Sequence, residues 1–271
     1  ALLGLSAPAA AALLAACGGD DDGGTPTGEG PPAETQTTAA STTTTAGSGD
    51  LITFKGPRGD LTASFAAATT PKGAVLIIHE NRGLTPHFVA LPSRLAEAGY
   101  SALAVDLISE EGGTAALGDE AKAQAALSAA PRERLVADAR AGIDELERRA
   151  AGHKVGMMGF CFGGGMTWSV LAAPEPRLAA AVPFYGPLPD GADFTGAKAA
   201  VLAIYAGLDT RVNGSRGDAT AALEKANLVH EVRTFEGVDH AFFNDTGQRY
   251  NKDAADQAYA AVLDWFGKHL A

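Results

Sequence analysis

Residues 155–165 read Val155-Gly156-Met157-Met158-Gly159-Phe160-Cys161-Phe162-Gly163-Gly164-Gly165, and this stretch decides the fold. An apolar strand, Val155–Met158, runs into a Gly-rich turn, and a helix follows over Phe162–Leu171. Around Cys161 the turn has the spacing Gly-x-nucleophile-x-Gly, with cysteine where serine is more usual. So sharp a strand-to-helix turn holds its central side chain in a strained backbone, and flanking side chains would collide with neighbouring main chain. The helix N-terminus behind it supplies N–H groups and a positive dipole end, which stabilise a thiolate and a developing oxyanion alike. The alternative is a buried structural cysteine, the usual role of a free cysteine. The order strand, turn, helix favours the nucleophile. No Lys follows the glycines, so a phosphate loop fails, and the spacing does not fit a dinucleotide fingerprint.

Outward from this turn, strands alternate with helices. Upstream, short strands are expected at Leu51–Phe54 and Leu61–Ala66, separated by the turn Gly56-Pro57-Arg58-Gly59. Ala74–Ile78 is a continuous apolar run, as in a central parallel strand buried on both faces. A helix over Pro86–Ala98 has Pro at its start and Gly99 past its end. A strand at Ser101–Val105 and a long charged amphipathic helix at Pro131–Ala150 complete the first half. Downstream come strands at Leu178–Phe184, Ala200–Tyr205 and Val229–Phe235, with helices at Gly217–Ala226 and Ala254–His269. This alternation predicts an α/β fold with a mostly parallel sheet covered by helices on both faces. Ligands then sit at the carboxyl ends of the strands, where Cys161 lies.

Two other groups at such ends complete a catalytic set. The strand Ala200–Tyr205 leads through Ala206-Gly207-Leu208 to Asp209, and the strand ending at Phe235 leads through Glu236-Gly237-Val238-Asp239 to His240. Nucleophile, acid and histidine appear in the order this architecture uses. Asp209 would fix the imidazole tautomer while His240 takes the thiol proton and later protonates the leaving group. Each has an alternative: Asp209 as a cap, Asp239 in its place, His240 as a loop histidine. Three such coincidences in the right order are less expected than one triad.

From Leu51 to Leu270 the chain resembles the dienelactone hydrolase family, with the α/β-hydrolase fold that this implies. The cysteine turn carries the resemblance together with His79-Glu80-Asn81-Arg82-Gly83-Leu84, Leu103-Ala104-Val105-Asp106-Leu107, Val182-Pro183-Phe184-Tyr185-Gly186 and His240-Ala241-Phe242-Phe243-Asn244-Asp245. It implies a triad of Cys161, His240 and Asp209 that opens a lactone, and a thiol-activating role for Glu80, whose alternative is a salt bridge with Arg82 or a loop cap. The turn geometry places the oxyanion hole at the backbone N–H groups of Phe162 and Asn81. Family enzymes hold a substrate carboxylate with an arginine four residues after the histidine, where this chain has Asn244. Arg82, Arg211, Arg249, Tyr185 and Asn244 are the candidate substrate contacts, and solvated surface arginines are the alternative for the cations. Cysteine suits activated esters, thioesters and lactones better than amides.

Composition narrows the rest. Among 271 residues, 21 Lys and Arg against 32 Asp and Glu give a net charge of −11, which disfavours nucleic-acid and anionic-lipid partners. With only Cys17 and Cys161, no disulfide framework is expected and each cysteine takes its own role. No Cys/His spacing suits a metal and no cofactor motif occurs, so neither is expected. Residues 1–17 are small and apolar and end Leu14-Ala15-Ala16-Cys17, resembling a lipoprotein signal with lipid attachment at Cys17. The lack of an initiator Met and a basic leader implies that the natural start precedes Ala1. Residues 18–49 form a Gly/Thr/Pro-rich tether unable to bury a core, and 50–271 the folded domain. The expectation is an envelope-anchored or secreted hydrolase of a small ester or lactone. The competing functions are a broad short-chain carboxylesterase, a non-catalytic ligand-binding lipoprotein and a redox-sensing thiol. Nothing in the sequence specifies an oligomeric state.

Overall fold

The computed structural model describes residues 49–173 and 175–271. The signal, the lipid attachment at Cys17 and the tether through residue 48 lie outside the described residues. Eight strands form one sheet: β1 (Asp50–Lys55), β2 (Asp60–Ala66), β3 (Gly73–Ile78), β4 (Tyr100–Val105), β5 (Val155–Phe160), β6 (Leu178–Phe184), β7 (Ala200–Ala206) and β8 (His230–Phe235). Their spatial order is β1-β2-β4-β3-β5-β6-β7-β8. β1 with β2 and β2 with β4 are antiparallel, and every other pairing is parallel. This is the expected α/β-hydrolase arrangement.

Burial follows from the layers. β3, β4, β5 and β7 are buried at every position, because helices cover both faces and each side chain must be apolar or paired. β8, at the sheet edge, is only half-buried. Register decides where the site can form. Ile78 lies opposite Gly159, Phe160 opposite Phe184, Phe184 opposite Ile204, and Ala206 opposite Phe235. The loops after β3, β5, β6, β7 and β8 therefore leave one edge of the sheet together, carrying Glu80, Cys161, Tyr185, Asp209 and His240.

The helices are α1 (Pro86–Glu97), α2 (Thr114–Leu117), α3 (Glu120–Ala129), α4 (Arg132–Arg149), α5 (Phe162–Ala172), α6 (Thr210–Asn213), α7 (Arg216–Lys225) and α8 (Lys252–His269), with a 3₁₀ turn at Ser109–Glu111. Two differences from the sequence expectation have physical causes. β5 continues to Phe160 because Gly159 and Phe160 still pair with β6, so the turn begins at Cys161 itself. α2 and α3 were not expected: α3 buries only Ala123 and Leu127, too few large apolar side chains for a helical period to show. Asp119 starts α3 by accepting the Lys122 N–H at 3.1 Å.

On α4 a buried charge makes stability depend on pH. Asp138 is 1% exposed, and neither carboxylate oxygen has a hydrogen-bond partner. Its nearest cation, Arg134, lies 3.8 Å away and also serves Glu110 and Glu111. Burial pushes the Asp138 carboxyl up to about 6, with Glu110 and Glu111 reinforcing the shift against Arg134 and Arg58. The folded value is raised, so the favourable protonated form is fully held below the ordinary carboxylate range and lost as pH rises through about 6. Asp138→Asn should therefore stabilise the fold by about 1–2 kcal/mol at pH 8. Thermal melts from pH 4 to 8 should show that gain shrinking toward acid, and a gain independent of pH would contradict it.

Candidate active site

Cys161 caps α5 with φ 56 and ψ −114, a conformation rare for any residue with a side chain. Its N–H donates to the Phe184 carbonyl at 3.0 Å, and its carbonyl accepts from the Gly165 N–H at 3.1 Å. The glycines permit the close approach. A Cβ on Gly159 would lie 2.1 Å from the Gly163 oxygen, and one on Gly163 would lie 2.3 Å from the Ile78 oxygen and 2.6 Å from the His79 oxygen. The head of α5 thus presses directly on the end of β3. That brings the 79–81 loop beside Cys161, with the His79 ring stacked on Phe162 at 6.4 Å.

Asp209 and His240 meet although 31 residues separate them. His240 Nδ1 lies 2.5 Å from Asp209 Oδ2, and both residues are buried. Asp209 Oδ1 also accepts the Val212 N–H at 3.1 Å, so the residue caps α6 as well. The sequence left Asp239 open as the acid. Its carboxylate instead accepts the His240 main-chain N–H at 2.6 Å, within its own loop. With a carboxylate on Nδ1, the proton sits there and the lone pair sits on Nε2. That Nε2 is buried and has no hydrogen-bond partner, so it is available as a base. The Tyr185 ring packs 5.0 Å from the imidazole.

Glu80 is 7% exposed and needs donors. Tyr185 Oη donates to Oε1 at 3.3 Å, and Asn244 Nδ2 donates to Oε2 at 2.9 Å. Burial, reinforced by the Glu80 charge, pushes the Tyr185 phenol well above its ordinary value, so it stays protonated and keeps donating. Tyr185 and Asn244, the candidate substrate contacts, thus both hold Glu80. Arg82, the alternative partner for Glu80, pairs with Glu120 at 3.1 Å. Arg211 is exposed on α6, and Arg249 is exposed with its charge reaching Tyr185. All three arginines are exposed, and the Glu80 carboxylate is buried.

Cys161 is disulfide-bonded in this structure. A disulfide sulfur is no nucleophile toward esters, so any acyl transfer through this sulfur would require the thiol. The sequence reading also passed over His87, whose Nδ1 lies 2.7 Å from Asp245 Oδ1 and anchors the loop that carries Asn244. Only the fold brings those two together, 158 residues apart.

The model of the dienelactone hydrolase family matches residues 61–270. A Saccharolobus solfataricus protein described as a "putative carboxymethylenebutenolidase" is 30% identical over 238 residues, covering 74% of this chain and 91% of its own length. A solved Klebsiella pneumoniae structure described as a "putative dienelactone hydrolase" superposes with a TM-score of 0.71 at 26% identity, covering 81% of this chain and 98% of that one. The dienelactone hydrolase structure from Anabaena variabilis gives a TM-score of 0.67 at 20% identity over 82% of this chain and 98% of its own, a likeness of fold.

Proposed function

The chain belongs to the dienelactone hydrolase family, and from that premise we propose that the reduced protein cleaves a small ester or lactone with Cys161 as nucleophile. The observation that carries this reading is the buried Asp209–His240 pair, whose unpartnered Nε2 shares the sheet edge of a cysteine held at positive φ. His240 Nε2 takes the thiol proton as sulfur attacks the carbonyl carbon. The oxygen becomes negative and is held by the N–H groups of Phe162 and Asn81. The tetrahedral species collapses to a thioester while His240 returns its proton to the leaving alkoxide. Water, deprotonated by His240, then splits the thioester and restores the thiol. With a lactone the leaving oxygen stays tethered, and the product is one hydroxy acid.

Charge narrows the substrate. Glu80 brings a negative charge into the site with only neutral side-chain donors, and Asn244 stands where the family places a cation. A substrate carboxylate would meet repulsion in a low-dielectric cleft. The reduced protein should therefore turn over p-nitrophenyl acetate and neutral lactones with kcat/KM at least about tenfold above carboxylate-bearing analogues of the same size. Preference for the anionic analogues would refute the charge argument. No turnover of any ester or lactone would sink the enzymatic reading.

A further inference from the structure

His79 is fully buried, and both of its ring nitrogens are engaged. Nδ1 lies 2.6 Å from the Glu80 carbonyl oxygen, and Nε2 lies 3.1 Å from the Leu107 nitrogen. A carbonyl only accepts and a main-chain N–H only donates, so the proton is on Nδ1 and the lone pair on Nε2. Burial holds the ring neutral against the pull of Asp106, 3.8 Å away. Beyond Leu107, Asp106 accepts the N–H of Ile108 at 3.0 Å, the N–H of Thr114 at 2.7 Å and the Thr114 hydroxyl at 2.9 Å. The turn that grips His79 is therefore itself fixed.

The Glu80 carbonyl shares one planar peptide unit with the Asn81 N–H. Among the described residues no peptide is cis, so the two groups point in opposite directions, and fixing one aims the other. A second anchor is the Gly83 N–H, at a longer 3.2 Å from the same oxygen. We infer that His79 is a positioning residue for acyl transfer: its Nδ1–H holds the Glu80–Asn81 peptide so that the Asn81 N–H faces the substrate oxygen as it becomes negative. This rests on the proposed oxyanion hole. His79 reaches the reaction only through that peptide, and the oxyanion exists only along the reaction path, so the effect belongs in kcat and not in KM.

Two variants separate this role from mere packing. His79→Asn keeps a donor near the Nδ1 position and loses the acceptor for Leu107, whereas His79→Gln keeps an acceptor near Nε2 and loses the donor to Glu80. The full-length reduced protein is assayed for kcat and KM on p-nitrophenyl acetate, for thermal stability, and for alkylation of Cys161 by iodoacetamide, which forms no oxyanion. For His79→Gln the expected result is a kcat lower by about 10–100-fold with KM and the alkylation rate within about threefold of wild type. His79→Asn should keep kcat within about threefold while melting lower, because Leu107 loses its partner. Equal kcat in His79→Gln and wild type, or losses in both variants that follow melting temperature, would overturn the inference. Should neither variant fold, nitrogen-15 NMR of the wild type decides: an Nδ1-protonated His79 at pH 7 supports it, and an Nε2-protonated ring overturns it. Wild-type hydrolysis that survives Cys161→Ala would instead refute the proposed chemistry and leave the tautomer measurement standing.

Discussion

Cys161→Ala is expected to lower kcat/KM for p-nitrophenyl acetate by about 10³-fold or more while leaving the fold intact. The fold survives because the main-chain bonds at this position, N–H to Phe184 and carbonyl from Gly165, do not involve the side chain. Alanine at φ 56 carries the same backbone strain as cysteine, so none is added or relieved. Only sulfur is lost. If Cys161 were a structural residue, the same change would cost about 1–2 kcal/mol of packing and leave hydrolysis at the wild-type rate. Rates and melting curves measured side by side under reducing conditions distinguish the two.

Asp209→Asn should lower kcat by about 10³–10⁴-fold, on the scale seen when the acid of a comparable triad is neutralised. The argument is one of proton placement. The side-chain oxygen of the introduced amide would still accept the Val212 N–H, so the cap on α6 is kept and the fold with it. Its NH₂ group, however, would donate to His240 Nδ1, which places the imidazole proton on Nε2, where it cannot accept the thiol proton. Asp239→Asn is the matching control. There the amide oxygen would still accept the His240 main-chain N–H, and kcat should stay within about threefold of wild type, a difference of less than about 1 kcal/mol. Equal losses in both variants would mean that the two carboxylates support the loop and do not divide the work as described.

The choice between those aspartates shows where sequence reasoning stops. The apolar runs at β3, β5, β6 and β7 declared themselves because strands buried on both faces leave no polar positions. The turn at Cys161 was legible because its glycines are required by backbone approaches of 2.1–2.6 Å, which no side chain tolerates. Asp209 and Asp239 both follow strands, so either could have met the imidazole until the fold turned one toward Nδ1 and the other toward the backbone. The setting of Glu80 was less legible. Its donors Tyr185 and Asn244 lie 105 and 164 residues away, and no local pattern encodes contacts of that range. His79 stood in a quoted motif without a role, because its two bonds are visible only when the 106–108 turn is in place.

The central claim is a thioester on Cys161, and peptide mass spectrometry tests it most directly. The reduced full-length protein is mixed with p-nitrophenyl acetate, quenched in acid during turnover and digested. One acetyl group on the peptide containing Cys161, absent after incubation without ester and absent at that position in Cys161→Ala, is the predicted result. Steady hydrolysis with Cys161 unmodified and an equal rate in Cys161→Ala would contradict it.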